Sequence, residues 1–196
     1  FLEILYTLAA IGGCENLIAH AFEDFAAGFT QLNFIIDNQD AFTMAADGSD
    51  LRLLSSQGAS HWTWRDPEHV LIWAKGYKLY KDDGSGKPKS LLWAHQNGHQ
   101  TYVPGTKNEW LLTDTYPKGK KRQQTVYLYH IPTQRKVELG RFHSPRDYKG
   151  EWRCDTHPRL SRDGTKVVID SPHGGNGRQM YMIDISGIIK TETKTP

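Results

Sequence analysis

The sequence predicts an all-β chain built from repeated antiparallel sheets, the pattern of a β-propeller. Three observations carry the prediction. Three stretches open on a histidine and continue alike: His61-Trp-Thr-Trp-Arg-Asp-Pro-Glu-His-Val, His99-Gln-Thr-Tyr-Val-Pro-Gly-Thr-Lys and His157-Pro-Arg-Leu-Ser-Arg-Asp-Gly-Thr-Lys-Val-Val. The last two align as His, four strand residues, a Pro or Arg-Asp turn, then Gly-Thr-Lys. Each stretch leads into a short apolar run: Val70-Leu-Ile-Trp73, Trp110-Leu-Leu-Thr113 and Val167-Val-Ile-Asp170. Finally, β-branched and aromatic runs alternate with Gly, Pro and Asp turns, the mark of successive short strands. A strand–turn–strand unit repeated in this way is the signature of a propeller or a similar array. With blades of about 40–50 residues, 196 residues hold three to four four-stranded blades, part of a ring of about six to eight.

The elements follow in order. Residues 1–33 read as an atypical apolar segment with loose helical spacing at Leu2, Ile4, Leu5, Leu8 and Ile11, then Phe22, Phe25 and Phe29, broken at Gly12-Gly13. The blades are expected over 34–187. Phe42-Thr-Met-Ala-Ala-Asp-Gly-Ser-Asp-Leu-Arg-Leu-Leu reads as strand, tight Asp47-Gly48 turn, strand. The next blade predicts strands near 61–64, 69–74, 76–80 and 89–94, with Asp82-Asp-Gly-Ser-Gly as its last hairpin. The following blade predicts strands near 100–103, 109–114, 125–130 and 136–140, with Lys118-Gly-Lys-Lys-Arg-Gln-Gln as an exposed hairpin tip. The unit from His157 shows three strands and ends at Gln179-Met-Tyr-Met-Ile-Asp184. Residues 188–196 read as a flexible tail.

Composition bounds the partners. The net charge of +2 hides an asymmetry: residues 1–51 hold eight acidic residues and no Lys or Arg, so 52–196 hold all 24 basic residues against 14 acidic ones. A basic propeller face suits an anionic ligand. The basic residues are scattered without a groove motif, which argues against nucleic acid. Glu3, Glu15, Glu23 and Asp24 interrupt the early apolar stretch, which argues against a membrane span. The two cysteines, Cys14 and Cys154, are far apart and make no disulfide framework. The chain starts at Phe1 without an initiator Met or signal-peptide pattern, so it reads as a fragment whose remaining blades lie elsewhere.

Repeat-equivalent histidines should converge on one axis, where propellers place their sites. The step from His61 to His99 is 38 residues and that from His99 to His157 is 58; the excess is a long link, Arg141 to Asp155. Long insertions on a regular scaffold tend to be functional. This link brings His143, Cys154 and Asp155 toward His157. His99, His143, His157 and one of Cys154 or Asp155 form a four-ligand set for a divalent metal, Zn with the thiolate or Mn with the carboxylate. Alternation puts Asp155 on the same face as His157, whereas Cys154 is the softer ligand. His61, at the matching position one blade earlier, is a candidate base. Tyr80 is a candidate acid, with Tyr77 and Tyr102 as alternatives. Arg65, Arg153 and Arg178 are candidates to clamp a substrate carboxylate.

At these residues the chain resembles the oligogalacturonate lyase family of TolB-like propellers, over about residues 34–187. The resemblance rests on His61-Trp-Thr-Trp, Gly98-His99, Cys154-Asp-Thr-His157-Pro and Gln179-Met-Tyr-Met-Ile-Asp. It implies that His61 is the catalytic base and that His99 and His157 bind a metal. The family's earlier histidine falls near Asp155 and its glutamine ligand near Trp152, and no Arg precedes Arg52 to match its catalytic arginine. The chain is also similar to ulvan lyase propellers, whose zinc set of histidines and a cysteine suits His99, His143, Cys154 and His157. The implied activity is that of a carbon–oxygen lyase: β-elimination on a 4-linked uronate oligosaccharide, in a bacterial cytoplasm or periplasm. The alternative is a non-catalytic TolB-like propeller that binds protein or carbohydrate. A propeller-associated hydrolase is disfavoured because no Gly-x-Ser-x-Gly is present.

Overall fold

The computed structural model describes residues 18–20, 32–37, 40–45, 47–56, 58–91 and 96–190. These form fifteen strands, a 3-10 turn at Gly150–Trp152 and one short helix, α1 (Ser186–Lys190). The strands make four antiparallel sheets, each a simple meander. The first holds β1 (Ile18–His20), β2 (Leu32–Asp37), β3 (Asp40–Ala45) and β4 (Arg52–Ser55). The second holds β5 (Ser60–Asp66), β6 (His69–Trp73), β7 (Tyr77–Lys81) and β8 (Pro88–Ser90). The third holds β9 (Thr101–Tyr102), β10 (Trp110–Thr113), β11 (Gln123–His130) and β12 (Arg135–His143). The fourth has three strands, β13 (Arg159–Leu160), β14 (Lys166–Ser171) and β15 (Gln179–Asp184). The all-β expectation and the three-stranded last unit hold.

The structure departs from the sequence reading at the start and at the end. Ile18–His20 lies in the segment read with helical spacing, yet it is a strand, and β2 begins at Leu32, just inside that segment: Ile18 pairs with Ile36, and Leu32 with Ala45. Mixed apolar spacing fits either period, and pairing with β2 decides it. The rest of 1–33 lies outside the described residues. At the other end α1 occupies 186–190, and Ile188 and Ile189 pack against buried core residues. β12 also runs on to His143, past the expected 140, because Gln123, Gln124 and Thr125 of β11 pair with His143, Phe142 and Arg141 beyond a bulge at Val126/Tyr127. Among the described residues no helix is long and apolar enough to cross a membrane.

The chain divides into two compact units, Phe1–Ala94 and His95–Pro196. Each packs two sheets over its own core. In the first, Leu54, Val70, Ile72 and Tyr80 are buried with Trp62 and Trp64 against them. In the second, Trp110, Leu112, Val126 and Leu128 of the third sheet meet Val167 and Ile169 of the fourth, and Ile185 closes the end. β14 alternates between exposed or half-buried and buried positions, so Val167, Ile169 and Ser171 face inward. The Ser161-to-Thr165 turn is set by Asp163, whose carboxylate accepts from the Ser161 and Thr165 hydroxyls and the Thr165 N–H. Gly164 follows at φ +69°, and a Cβ there would meet the Pro104 carbonyl at 2.9 Å. The Asp-Gly pair is thus required both by the left-handed backbone and by the close approach of the β9–β10 loop.

A candidate metal centre in the second unit

Register explains how the centre is built. Leu111 pairs with Tyr102 and Leu112 with Thr101. Continuing that antiparallel count puts His99 opposite Asp114, just past the end of β10. Asp114, 2% exposed, accepts from the His99 backbone N–H (2.7 Å) and from His99 Nδ1 (3.0 Å to each carboxylate oxygen). It also accepts from the Thr156 hydroxyl. One buried carboxylate therefore ties the His99 segment to the 155–157 run. Burial alone would raise the Asp114 carboxyl, but the bonds from His99 and Thr156 outweigh it and hold it below its ordinary value. Gly98 makes room: a Cβ there would meet the Asp114 carbonyl oxygen at 2.0 Å.

From Arg153 to Arg159 burial alternates residue by residue, with Cys154, Thr156 and Pro158 inside and Asp155 and His157 turned outward. His99, Asp155 and His157 then each place one ligand atom within 4.8 Å of the others. The imidazoles of His99 and His157 stand 3.8 Å apart at their centroids. His157 sits at φ +36°, a left-handed conformation that costs a non-glycine residue about 1–3 kcal/mol and concentrates at functional sites. Burial pushes the His157 imidazole below its ordinary value. That favours the neutral, ligating form.

The other predicted residues separate from this group. Cys154 is buried, 5% exposed, and burial pushes its thiol up; alternation turns it away from the outward face of Asp155 and His157. His143 is exposed at the end of β12, with Nδ1 against the Lys121 carbonyl (2.9 Å). Neither joins the His99–Asp155–His157 group. Tyr80 is a core residue, 1% exposed, with its hydroxyl on Ser55 Oγ (2.9 Å), which removes it as an acid open to substrate. Tyr77 and Tyr102 are buried as well. His61 lies on β5 in the first unit, half-buried, its Nδ1 3.2 Å from Ser60 Oγ. Arg65, in that unit too, is exposed beside Asp66 (3.8 Å). Arg178 is exposed and stacks over Trp152, 5.7 Å from its ring centroid.

Arg153 is engaged at the centre itself. Its guanidinium grips Asp155 at 3.0 and 2.7 Å and lies over the Tyr116 ring, which meets His99 edge-on at 5.8 Å. The Asp155 bonds raise the guanidinium further, and burial pushes the Tyr116 phenol up. Gln124, 1% exposed, donates to the Cys154 carbonyl (3.3 Å) and to Asp155 Oδ1 (3.4 Å), and its own Oε1 is buried without a partner. Sequence reasoning missed Asp114, Thr156, Tyr116 and Gln124. For Asp114 a signal existed: it directly follows a buried apolar run, at the register position that Asp170 holds opposite His157.

The donor set fits a divalent ion. Two imidazoles and a carboxylate are the nitrogen and oxygen ligands that Zn and Mn take. The Asp114 carboxylate fixes the Nδ1–H tautomer of His99, which leaves the lone pair on Nε2, as carboxylate–histidine–metal arrangements require.

No protein-family model and no curated protein matches the sequence. Solved structures do. The chain is similar to an oligogalacturonate lyase from Vibrio parahaemolyticus, at 12% identity and TM-score 0.59, over 79% of this chain and 46% of that one. It is similar to an oligogalacturonate lyase in complex with manganese, at 13% identity and TM-score 0.53, over 80% and 48%. It is also similar to TolB from Acinetobacter baumannii, at 16% identity and TM-score 0.54, over 91% and 42%. The chain spans a little under half the length of each. Its structural neighbours are thus oligogalacturonate lyases and TolB-like proteins, and its fold is the all-β propeller type they share.

Proposed function

We propose that this chain carries the metal-binding part of a lyase-like propeller that cleaves 4-linked uronate oligosaccharides by β-elimination. One observation carries the reading: His99, Asp155 and His157 converge within 4.8 Å, with buried Asp114 behind His99. A divalent ion held there, Mn or Zn, would neutralise the C6 carboxylate of a uronate and acidify its C5 proton. The chain's own residues supply the rest. Asp114 keeps His99 in one tautomer. Arg153, paired with Asp155 and half in solvent, supplies a second cation at the substrate carboxylate. A base takes the C5 proton, and Tyr116 or water protonates the departing O4. The oligogalacturonate lyase neighbour in complex with manganese supports the same reading. The TolB likeness over 91% of the chain favours a second one, a non-catalytic binding propeller.

Metal content separates the two. Elemental analysis and Mn²⁺ or Zn²⁺ titration should find one bound ion in the wild type and none in His157→Gly. Glycine is chosen because it relieves the positive φ, so the variant stays folded while losing the imidazole. A metal-loaded wild type should then release unsaturated product from oligogalacturonate, read by ultraviolet absorbance. A folded wild type that takes up no divalent ion would sink the lyase reading and leave the binding propeller.

A further inference from the structure

Four arginines of this chain are committed to close ion pairs. Arg52, Arg141, Arg153 and Arg159 each sit on a carboxylate. Cations without such a partner gather elsewhere, on the β11–β12 side of the second unit. The β10–β11 connection carries Lys118, Lys120, Lys121 and Arg122, and the link after β12 carries Arg146 and Lys149. Among the described residues none of the six has a carboxylate within ion-pair distance, and all but the half-buried Arg122 are exposed. Residues 118–122 and 144–152 hold two carboxylates, Asp147 and Glu151.

The two segments are fastened together. Ser144 N–H donates to the Arg122 carbonyl and Arg122 Nε to the Ser144 carbonyl, each at 2.9 Å. His143 Nδ1 lies 2.9 Å from the Lys121 carbonyl, and Lys118 bridges Gln123. The cations therefore share one surface. Both segments also run straight into the metal centre: the first reaches Gln124 and the second reaches Arg153, and both of these residues bond to Asp155. From Lys121 to Gln124 is three residues, at most about 10 Å of extended backbone. Trp152, 68% exposed, lies on the same link and offers an aromatic face.

We infer that residues 118–122 together with 144–152 form a binding tract for an extended anionic polysaccharide, holding the uronate units beyond the one at the metal. The inference rests on the proposed function for its choice of ligand. Unpaired cations beside a site raise the local concentration of a polyanion and engage its carboxylates one by one, whereas a monomeric unit at the metal does not reach them. The His143 that the sequence offered as a metal ligand acquires a role here, in holding the tract to β12.

The test is the charge-reversal variant Lys118→Glu/Lys120→Glu/Lys121→Glu, in which all three side chains are exposed and outside the metal centre. Binding of polygalacturonate and of digalacturonate is measured by calorimetry over a range of salt, with bound metal and thermal unfolding measured alongside. The variant should lose roughly tenfold or more in polygalacturonate affinity at low salt, with a shallower salt dependence. Digalacturonate affinity, metal content and unfolding should stay at wild-type values. Equal polygalacturonate affinity in variant and wild type overturns the inference, as does an equal loss for both lengths. Tighter wild-type binding of single-stranded nucleic acid than of polygalacturonate overturns the ligand class. The two readings fail separately: a metal-loaded wild type indifferent to polygalacturonate sinks the tract alone. Lysine-dependent polygalacturonate binding without metal sinks the lyase reading and keeps the tract.

Discussion

Replacing Asp114 by alanine is the sharpest probe of how the second unit is held together. The side chain is 2% exposed and accepts from three donors: the His99 backbone N–H, His99 Nδ1 and the Thr156 hydroxyl. Each bond to a charged acceptor contributes about 1.5–3 kcal/mol, and removing the acceptor leaves buried donors unsatisfied. Against this, alanine also removes the cost of burying the carboxylate. The net loss should be about 3–5 kcal/mol, a fall of roughly 6–20 °C in Tm for a chain of this size. Asp114→Asn, which keeps an acceptor but not the charge, should lose about 1–2 kcal/mol. Denaturant unfolding followed by tryptophan fluorescence measures both, and ¹⁵N shifts of His99 read its tautomer. Wild type should show a single Nδ1–H form and Asp114→Asn a mixture. An Asp114→Ala loss below about 1 kcal/mol with an unchanged His99 tautomer would refute the reasoning, because the three bonds would then be worth no more than surface ones.

Three further outcomes follow from the same structure. Gly98→Ala puts a Cβ 2.0 Å from the Asp114 carbonyl oxygen, so it should cost about 1–3 kcal/mol or more in urea unfolding and weaken divalent metal binding by displacing His99. Ile169→Ala, fully buried between the third and fourth sheets, should cost about 2–5 kcal/mol without changing metal stoichiometry. Burial, then the charge of Asp114, pushes the Tyr127 phenol up to about 12, so the native state favours its protonated form. That stability is fully present below the unfolded phenol pKa near 10 and is lost as pH rises toward about 12. The loss amounts to roughly 2–3 kcal/mol, and urea unfolding across the alkaline range should show it in wild type but not in Tyr127→Phe.

Strand order and turns were legible because they are local. Period-two alternation over Lys166–Ser171 and the Asp163-Gly164 turn state their structure in neighbouring residues, as do Asp47-Gly48 and the Asp82-to-Gly86 hairpin. The segment around Ile18–His20 was not legible, because its apolar spacing fits a helix or a strand and only pairing with β2 chooses. The site divides along the same line. Repetition marked His99 and His157, since equivalent positions in equivalent sheets land alike. Alternation offered Asp155, but ligand softness argued for Cys154. Burial of the 154 and 156 positions against the core is what leaves Asp155 beside His99 and His157.

The amino-acid sequence by itself determined the all-β class, the run of short antiparallel sheets and the two histidines that head the third and fourth of them. Those follow from periodicity and turn chemistry, which act over a few residues. Tertiary structure alone decided that Asp114 stands behind His99, that Thr156 shares it, that Arg153 grips Asp155, and that Tyr80 and Cys154 are interior. Each of these is a contact or burial set by the register of strands and the packing of sheets, across separations of up to 42 residues where the contact is long-range. Residue type and spacing along the chain do not encode such distances.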